Sequence, residues 1–94
     1  MAAYIIATVR ITDPVRFAAY GKAVTGLSAK YGGENVLIGK VTDVLEGDSP
    51  LDERVVVVRF PDADAARSYI ASPEYQTAKL ERVGAADIEM RIVV

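Results

Sequence analysis

The sequence predicts an α+β fold of the ferredoxin-like kind, with strands and helices in the order βαββαβ, a four-stranded antiparallel sheet and both helices on one of its faces. Three observations predict it. Stretches with two-residue alternation open and close the chain, at Tyr4–Ile11 and Asp87–Val94. Two helical stretches lie between them, one after Asp13-Pro14 and one after Pro61-Asp62. Between the helices sit two β-branched runs joined by a turn-rich segment. The second run, Glu53–Phe60, holds four successive valines; branching at Cβ suits a pleated backbone, and a strand apolar on both faces wants cover on both.

In the first strand Ile5, Ala7, Val9 and Ile11 point one way and Tyr4, Ile6, Thr8 and Arg10 the other. Asp13 can accept from free helical amides, and Pro14 suits the first helical position. Phe17, Tyr20, Gly21, Val24, Leu27, Ser28 and Tyr31 then recur at spacings of three and four, one stripe down a helix that Gly32-Gly33 closes. Gly21, on that stripe, is expected to permit close approach to the sheet, whereas Gly26 has no evident reason. Asn35–Glu46 reads as a long second strand with a bulge at Gly39, followed by the turn Gly47–Asp52 and the valine strand. Asp62 caps the next helix, and Ser72-Pro73 repeats the cap-then-proline device, so a break or kink is expected at Pro73. Gly84–Ala86 leads into the last strand, with Ile88, Met90 and Ile92 on one side.

Composition sets the limits. The chain has 94 residues, 51% apolar and 26% charged, the balance of one globular domain over residues 1–94. A net charge of −2 argues against a nucleic-acid or anionic-membrane partner, either of which needs a clustered basic face. The N-terminal Met-Ala-Ala-Tyr lacks the basic start of a signal peptide, and no apolar run reaches the length of a membrane span, which reads as a cytoplasmic protein. Cysteine and histidine are absent, so thiolate chemistry and the side chain that most often moves protons near neutral pH are excluded. No metal or cofactor is expected.

If Ile5, Val9, Val56, Val58, Phe60, Ile88, Met90 and Ile92 meet the helices, the far face of the sheet carries Tyr4, Ile6, Thr8, Val55, Val57 and Val93. At about 1.5–3 kcal/mol per buried apolar side chain, leaving that face wet forfeits on the order of 10 kcal/mol, comparable with the whole stability of a small domain. A homodimer packed sheet to sheet through this face is the expected assembly.

The residues Tyr4, Asp13-Pro14, Tyr20, Gly32-Gly33, Glu46-Gly47, Arg54-Val55-Val56-Val57, Phe60-Pro61, Ser72-Pro73-Glu74-Tyr75-Gln76 and Arg82 together resemble domain-of-unknown-function family 1330, within the dimeric α+β barrel superfamily. Two departures are Tyr69, where the family usually has tryptophan, and Val93-Val94, where it often has an acid and a glycine. The resemblance implies a dimeric barrel and no established activity. Related families in the superfamily include cofactor-free monooxygenases, isomerase-like and dehalogenase-like enzymes, and small stress-linked proteins.

The candidate ligand-binding residues are Tyr20, Tyr75, Arg82, Asp13 and Arg59. Tyr75 and Arg82, seven residues apart, fall two turns along one helix face, where a phenol and a guanidinium could hold a carboxylate or enolate oxygen. The plainer alternative is an Arg82 that pairs with a carboxylate or caps a backbone carbonyl and a Tyr75 packed on the sheet. Tyr20 could line the same cleft or be a core residue with its hydroxyl at the edge. Arg10, Arg59 and Arg91 would form an anion cluster if they converged, although Glu89 is a natural cross-strand partner for Arg10. Asp13 could be a base near Tyr20, yet capping alone accounts for it. Three functions stay open: a dimer that binds a small anionic or aromatic molecule between helices and sheet, a cofactor-free monooxygenase- or isomerase-like enzyme, and a structural or regulatory dimer with no ligand.

Overall fold

The computed structural model describes residues Met1–Val94. Its strands are β1 (Ala3–Ile11), β2 (Glu34–Lys40), β3 (Arg54–Phe60) and β4 (Ala86–Val93), and its helices are α1 (Pro14–Val24), α2 (Ala63–Ala71) and α3 (Pro73–Lys79). The sheet order is β2-β3-β1-β4 with every pairing antiparallel, so β1 and β3 are central and the expected ferredoxin-like βαββαβ order holds, with the second helix in two pieces. Cross-strand register puts Ile5 opposite Val58 and Ile92, and Ala7 opposite Val56 and Met90. Because side chains alternate, Ala3, Ile5, Ala7 and Val9 are buried, whereas Tyr4, Ile6 and Thr8 on the reverse face are only half-buried.

The helical layer lies over the buried face. Ile5, Val58, Phe60, Ala66, Tyr69 and Tyr75 form the core, with Tyr20, Val24, Leu27 and Ile70 packed around them. The Cα extents of 32 × 29 × 15 Å describe a slab only two layers deep. Its accessible surface is 6064 Å², against about 5,300 Å² expected for a compact monomer of this mass. The reverse face, where Ile6 and Val57 are paired and Leu37 lies beyond them, accounts for part of the difference.

The caps form as the sequence predicts. Asp13 accepts from the Arg16 amide at 3.2 Å, and Asp62 from the Ala65 amide at 2.8 Å. Ser72 ends α2 and starts α3: its hydroxyl donates to the Tyr69 carbonyl at 2.7 Å and accepts from the Tyr75 amide at 3.1 Å, with Pro73 in the first position of α3.

Four expectations need correction. The first helix stops at Val24, and a separate 3-10 turn covers Ser28–Tyr31. Gly26 lies between them at φ +78°, a left-handed conformation that breaks the helix and explains this glycine. Gly21 makes no close approach, since a Cβ there would meet nothing within 4 Å; the tight contact is at Gly33, where a Cβ would sit 2.9 Å from Phe60 and Ser28. The second strand ends at Lys40 rather than Glu46, with Val41 still hydrogen-bonded to Glu53 before the chain leaves the sheet. Its bulge falls between Asn35 and Leu37, not at Gly39.

Replacing Ser72 by alanine removes a buried bond to Tyr69 and the cap of α3 together. The expected loss is about 1–2 kcal/mol, read as a lower urea midpoint with an unchanged slope.

Candidate functional site

Six of the seven aromatic residues form one connected cluster. Phe17 meets Tyr20 at 5.4 Å between ring centroids, Tyr20 meets Tyr75 edge-on at 6.3 Å, Tyr75 meets Tyr69 at 5.1 Å, and Tyr69 contacts Phe60 and Tyr31 at 5.7 and 5.9 Å. Local structure sets the geometry. Tyr20 stands on the inner stripe of α1, the Ser72-Pro73 break turns α3 so that Tyr75 points at the sheet, and Met90 faces it from β4.

At the centre the Tyr20 and Tyr75 hydroxyl oxygens are 3.0 Å apart. Arg82 Nη2 donates to the Tyr75 oxygen at 3.4 Å, and the guanidinium lies 5.1 Å over the Tyr20 ring. The Tyr75 proton is left with the Met90 sulfur at 3.9 Å, a weak acceptor, provided Tyr20 donates to Tyr75. In that arrangement one hydroxyl accepts from two donors while its own proton is poorly used. Arg82 makes no ion pair, and its Nε is buried with no acceptor. The carboxylate partner that the plainer reading gave Arg82 is not there. The last turn tightens into a 3-10 turn over Leu80–Arg82, and the two side chains still meet.

Burial pushes the Tyr20 phenol far above its usual range, with the bond and charge of Tyr75 adding to the effect and Arg82 opposing it. Burial, then the neighbouring Tyr75, pushes Tyr69 up to about 12. Tyr20 thus stays neutral and keeps its proton for hydrogen bonding.

Two hollows flank Tyr75. A partly enclosed cavity of about 370 Å³ lies between α1 and the sheet, bordered by Ala7, Val9, Tyr20, Gly21, Val56 and Tyr75 among others, with no charged side chain in its lining. A more open cleft of about 630 Å³ runs between α3 and β4 and includes Arg82. Tyr75, Met90, Ile5 and Ile88 border both.

Of the five candidates, the structure brings Tyr20, Tyr75 and Arg82 together. Asp13 caps α1, and Arg59 stands opposite Tyr4 on the reverse face of the sheet, so neither joins them. Arg10 and Arg91 meet at Glu89, at 4.0 and 3.9 Å, with Arg10 also 3.7 Å from Glu53, whereas Arg59 stands apart at the other end of the sheet, so the three do not form one cluster. Met90 and Gly21 were not singled out from sequence as site residues. The helix-facing register of Met90 was the available signal for the first, and an exposed glycine inside a helix for the second. No group of three or more acidic side chains is placed to hold a metal ion.

Fold and site together define a ferredoxin-like α+β protein with a tyrosine-lined cavity. The family described as "Domain of unknown function (DUF1330)" matches residues 2–94, and the chain belongs to it. Among solved structures, the chain is similar to a protein of unknown function from Rhodopseudomonas palustris, at 24% identity and TM-score 0.75, covering 98% of this chain and 80% of that one. It is also similar to a dimeric ferredoxin-like protein of unknown function from Jannaschia sp. CCS1, at 16% identity and TM-score 0.74, covering 100% and 99%. A third is SnoaB, a cofactor-independent oxygenase from Streptomyces nogalater, at 15% identity and TM-score 0.70, covering 99% and 91%. No curated protein matches the chain. No helix is long and apolar enough to cross a membrane.

The raised phenol values fix the sign of an alkaline effect. Unfolded tyrosines ionise near pH 10, whereas Tyr69 in the fold holds its proton to about 12 and Tyr20 beyond. Stability from these groups is fully present below pH 10 and falls as the pH rises from 10 through 12. Melting temperatures across pH 8–12 should show a plateau and then a decline, and the decline should weaken in Tyr20→Phe.

Proposed function

We propose that the protein is a cytoplasmic homodimer that binds a small aromatic molecule in the cavity between α1 and the sheet, with an oxygen of the ligand accepting from Tyr75. The observation that carries this reading is the Tyr75 hydroxyl, which accepts from Arg82, lies 3.0 Å from the Tyr20 hydroxyl and, with Tyr20 donating, has only a thioether for its own proton. A ketone or phenol oxygen in place of that sulfur gains a hydrogen bond strengthened by the two donors behind it. The uncharged lining suits an apolar body, and about 370 Å³ is within the range of small-ligand sites. Gly21 supports the same reading: it borders the cavity and sits exposed in a helix at a cost of about 1 kcal/mol relative to alanine, with open space where a Cβ would stand.

The test is calorimetric titration with 1-tetralone and with tetralin, the same carbon skeleton without the oxygen. Tetralone should bind, tetralin about tenfold more weakly, and Tyr75→Phe should remove the difference. Gly21→Leu should bind neither while melting no lower than the native chain. Equal affinity for the two compounds, or undiminished binding in Gly21→Leu, overturns the assignment.

A cofactor-free enzyme is the second reading. It is favoured by the Tyr20 and Tyr75 phenols and the guanidinium, which could stabilise an enolate, and by the likeness in fold to a cofactor-independent oxygenase. The cavity lining offers no carboxylate, lysine or histidine as a base, so such a substrate must arrive already ionised or readily lose its own proton. Binding without turnover asks less of these residues.

The dimer rests on the apolar patch of Ile6, Val55, Val57 and Val93 on the reverse face, which Arg59, Arg91 and Glu89 flank, and on an accessible surface some hundreds of Å² above the monomer expectation, the scale that one partner buries in a standard interface. Sedimentation at micromolar concentration should give a dimer, and the melting temperature should rise with protein concentration. Val57→Lys should shift the mass to monomer; a native chain that sediments as a monomer removes this part of the proposal.

A further inference from the structure

The cleft between α3 and β4 differs in chemistry from the aromatic cavity. Four cationic residues line it, Arg67, Lys79, Arg82 and Arg91, and no acidic residue does. Two of the four are already occupied: Arg67 donates to Asp64 at 2.8 Å, and Arg91 lies 3.9 Å from Glu89. Lys79 and Arg82 have no acidic partner, and the spacing of three sets them on one side of the chain as α3 passes into its 3-10 turn. Arg82 reaches Tyr75 through Nη2 alone, while its Nε is buried without an acceptor. Beneath the charges the floor is apolar, with Ile70 from α2 and Ile88 and Ile92 from β4.

We propose that this cleft is an anion site separate from the aromatic cavity, taking a carboxylate carried on an apolar body, with Lys79 and Arg82 holding the carboxylate and the isoleucine floor holding the body. A carboxylate accepts from an arginine fork in a way that a neutral group cannot. An apolar body covers isoleucine surface that a small hydrated anion such as phosphate would leave wet. The site does not need the cavity reading to be right, since Lys79 and the isoleucines of α2 and the outer part of β4 lie outside the cavity lining, and only Tyr75, Ile5, Ile88 and Met90 are common to both.

The experiment is an amide NMR titration of the full chain with octanoate, octanamide and inorganic phosphate, repeated on Lys79→Gln and Gly21→Leu. Octanoate should saturate and shift the amides of Lys79, Ile88 and Ile92, with octanamide and phosphate each about tenfold weaker or more. Lys79→Gln should weaken octanoate at least about fivefold with an unchanged melting temperature, and Gly21→Leu, which adds a side chain at the border of the cavity and none at the cleft, should leave octanoate binding intact. Octanamide binding as tightly as octanoate, or phosphate doing so, overturns the proposal, as does the absence of saturable shifts. Octanoate binding lost in Gly21→Leu and kept in Lys79→Gln overturns the cleft and leaves the cavity standing; intact octanoate binding with no tetralone binding does the reverse.

Discussion

The joint at Ser72 governs the arrangement of the site. One hydroxyl closes α2 by bonding to the Tyr69 carbonyl and opens α3 by accepting the Tyr75 amide, and Pro73 prevents the two helices from running on as one. The turn brings the Tyr69 and Tyr75 rings to 5.1 Å and leaves the second ring at the sheet, where Tyr20 and Met90 reach it. Without a change of direction at that residue, Tyr75 and Arg82 would follow a straight helix away from α1.

Around the joint the molecule sorts its polar groups by compartment. Phenols that burial keeps neutral border the space between α1 and the sheet, and charges gather beyond Tyr75 on the β4 side. Desolvation explains the division: an unpaired guanidinium costs far less in an open cleft than inside an apolar chamber. Arg82 is the exception that spans the boundary, with its guanidinium carbon 5.1 Å from the Tyr20 ring centroid, one nitrogen on Tyr75 and another left unpaired.

The fold was legible because its signals are local. Alternation in Tyr4–Ile11, four valines at 55–58 and the caps Asp13, Asp62 and Ser72 each state a backbone preference within a few residues. The meeting of Tyr75 and Arg82 was legible for the same reason, being a matter of helical spacing. What the sequence hid depends on distant partners. A continuous stripe from Phe17 to Tyr31 masked the break at Gly26, since the 3-10 turn keeps Leu27 and Tyr31 against the core. Bulge position and strand end in β2 follow from pairing with β3, which no window of β2 contains. Met90 became part of the site only because β4 folds back 15 residues after Tyr75 to place a sulfur beside its hydroxyl.

The slab is so thin that its sheet is a wall shared by the hollows on one side and the reverse face on the other. Ile5 borders the hollow next to Tyr75 while Ile6, its neighbour in the chain, looks the opposite way; Val58 and Val57 repeat the division one strand over. A substitution that lifts β1 or β3 to suit one side displaces the other by the same shift of backbone, because a strand cannot bend one of two adjacent residues alone. With the cavity and the reverse face serving as proposed, drift in recognition and drift in self-association are yoked, and lineages that retune one should carry compensating changes in the alternate positions of the same two strands.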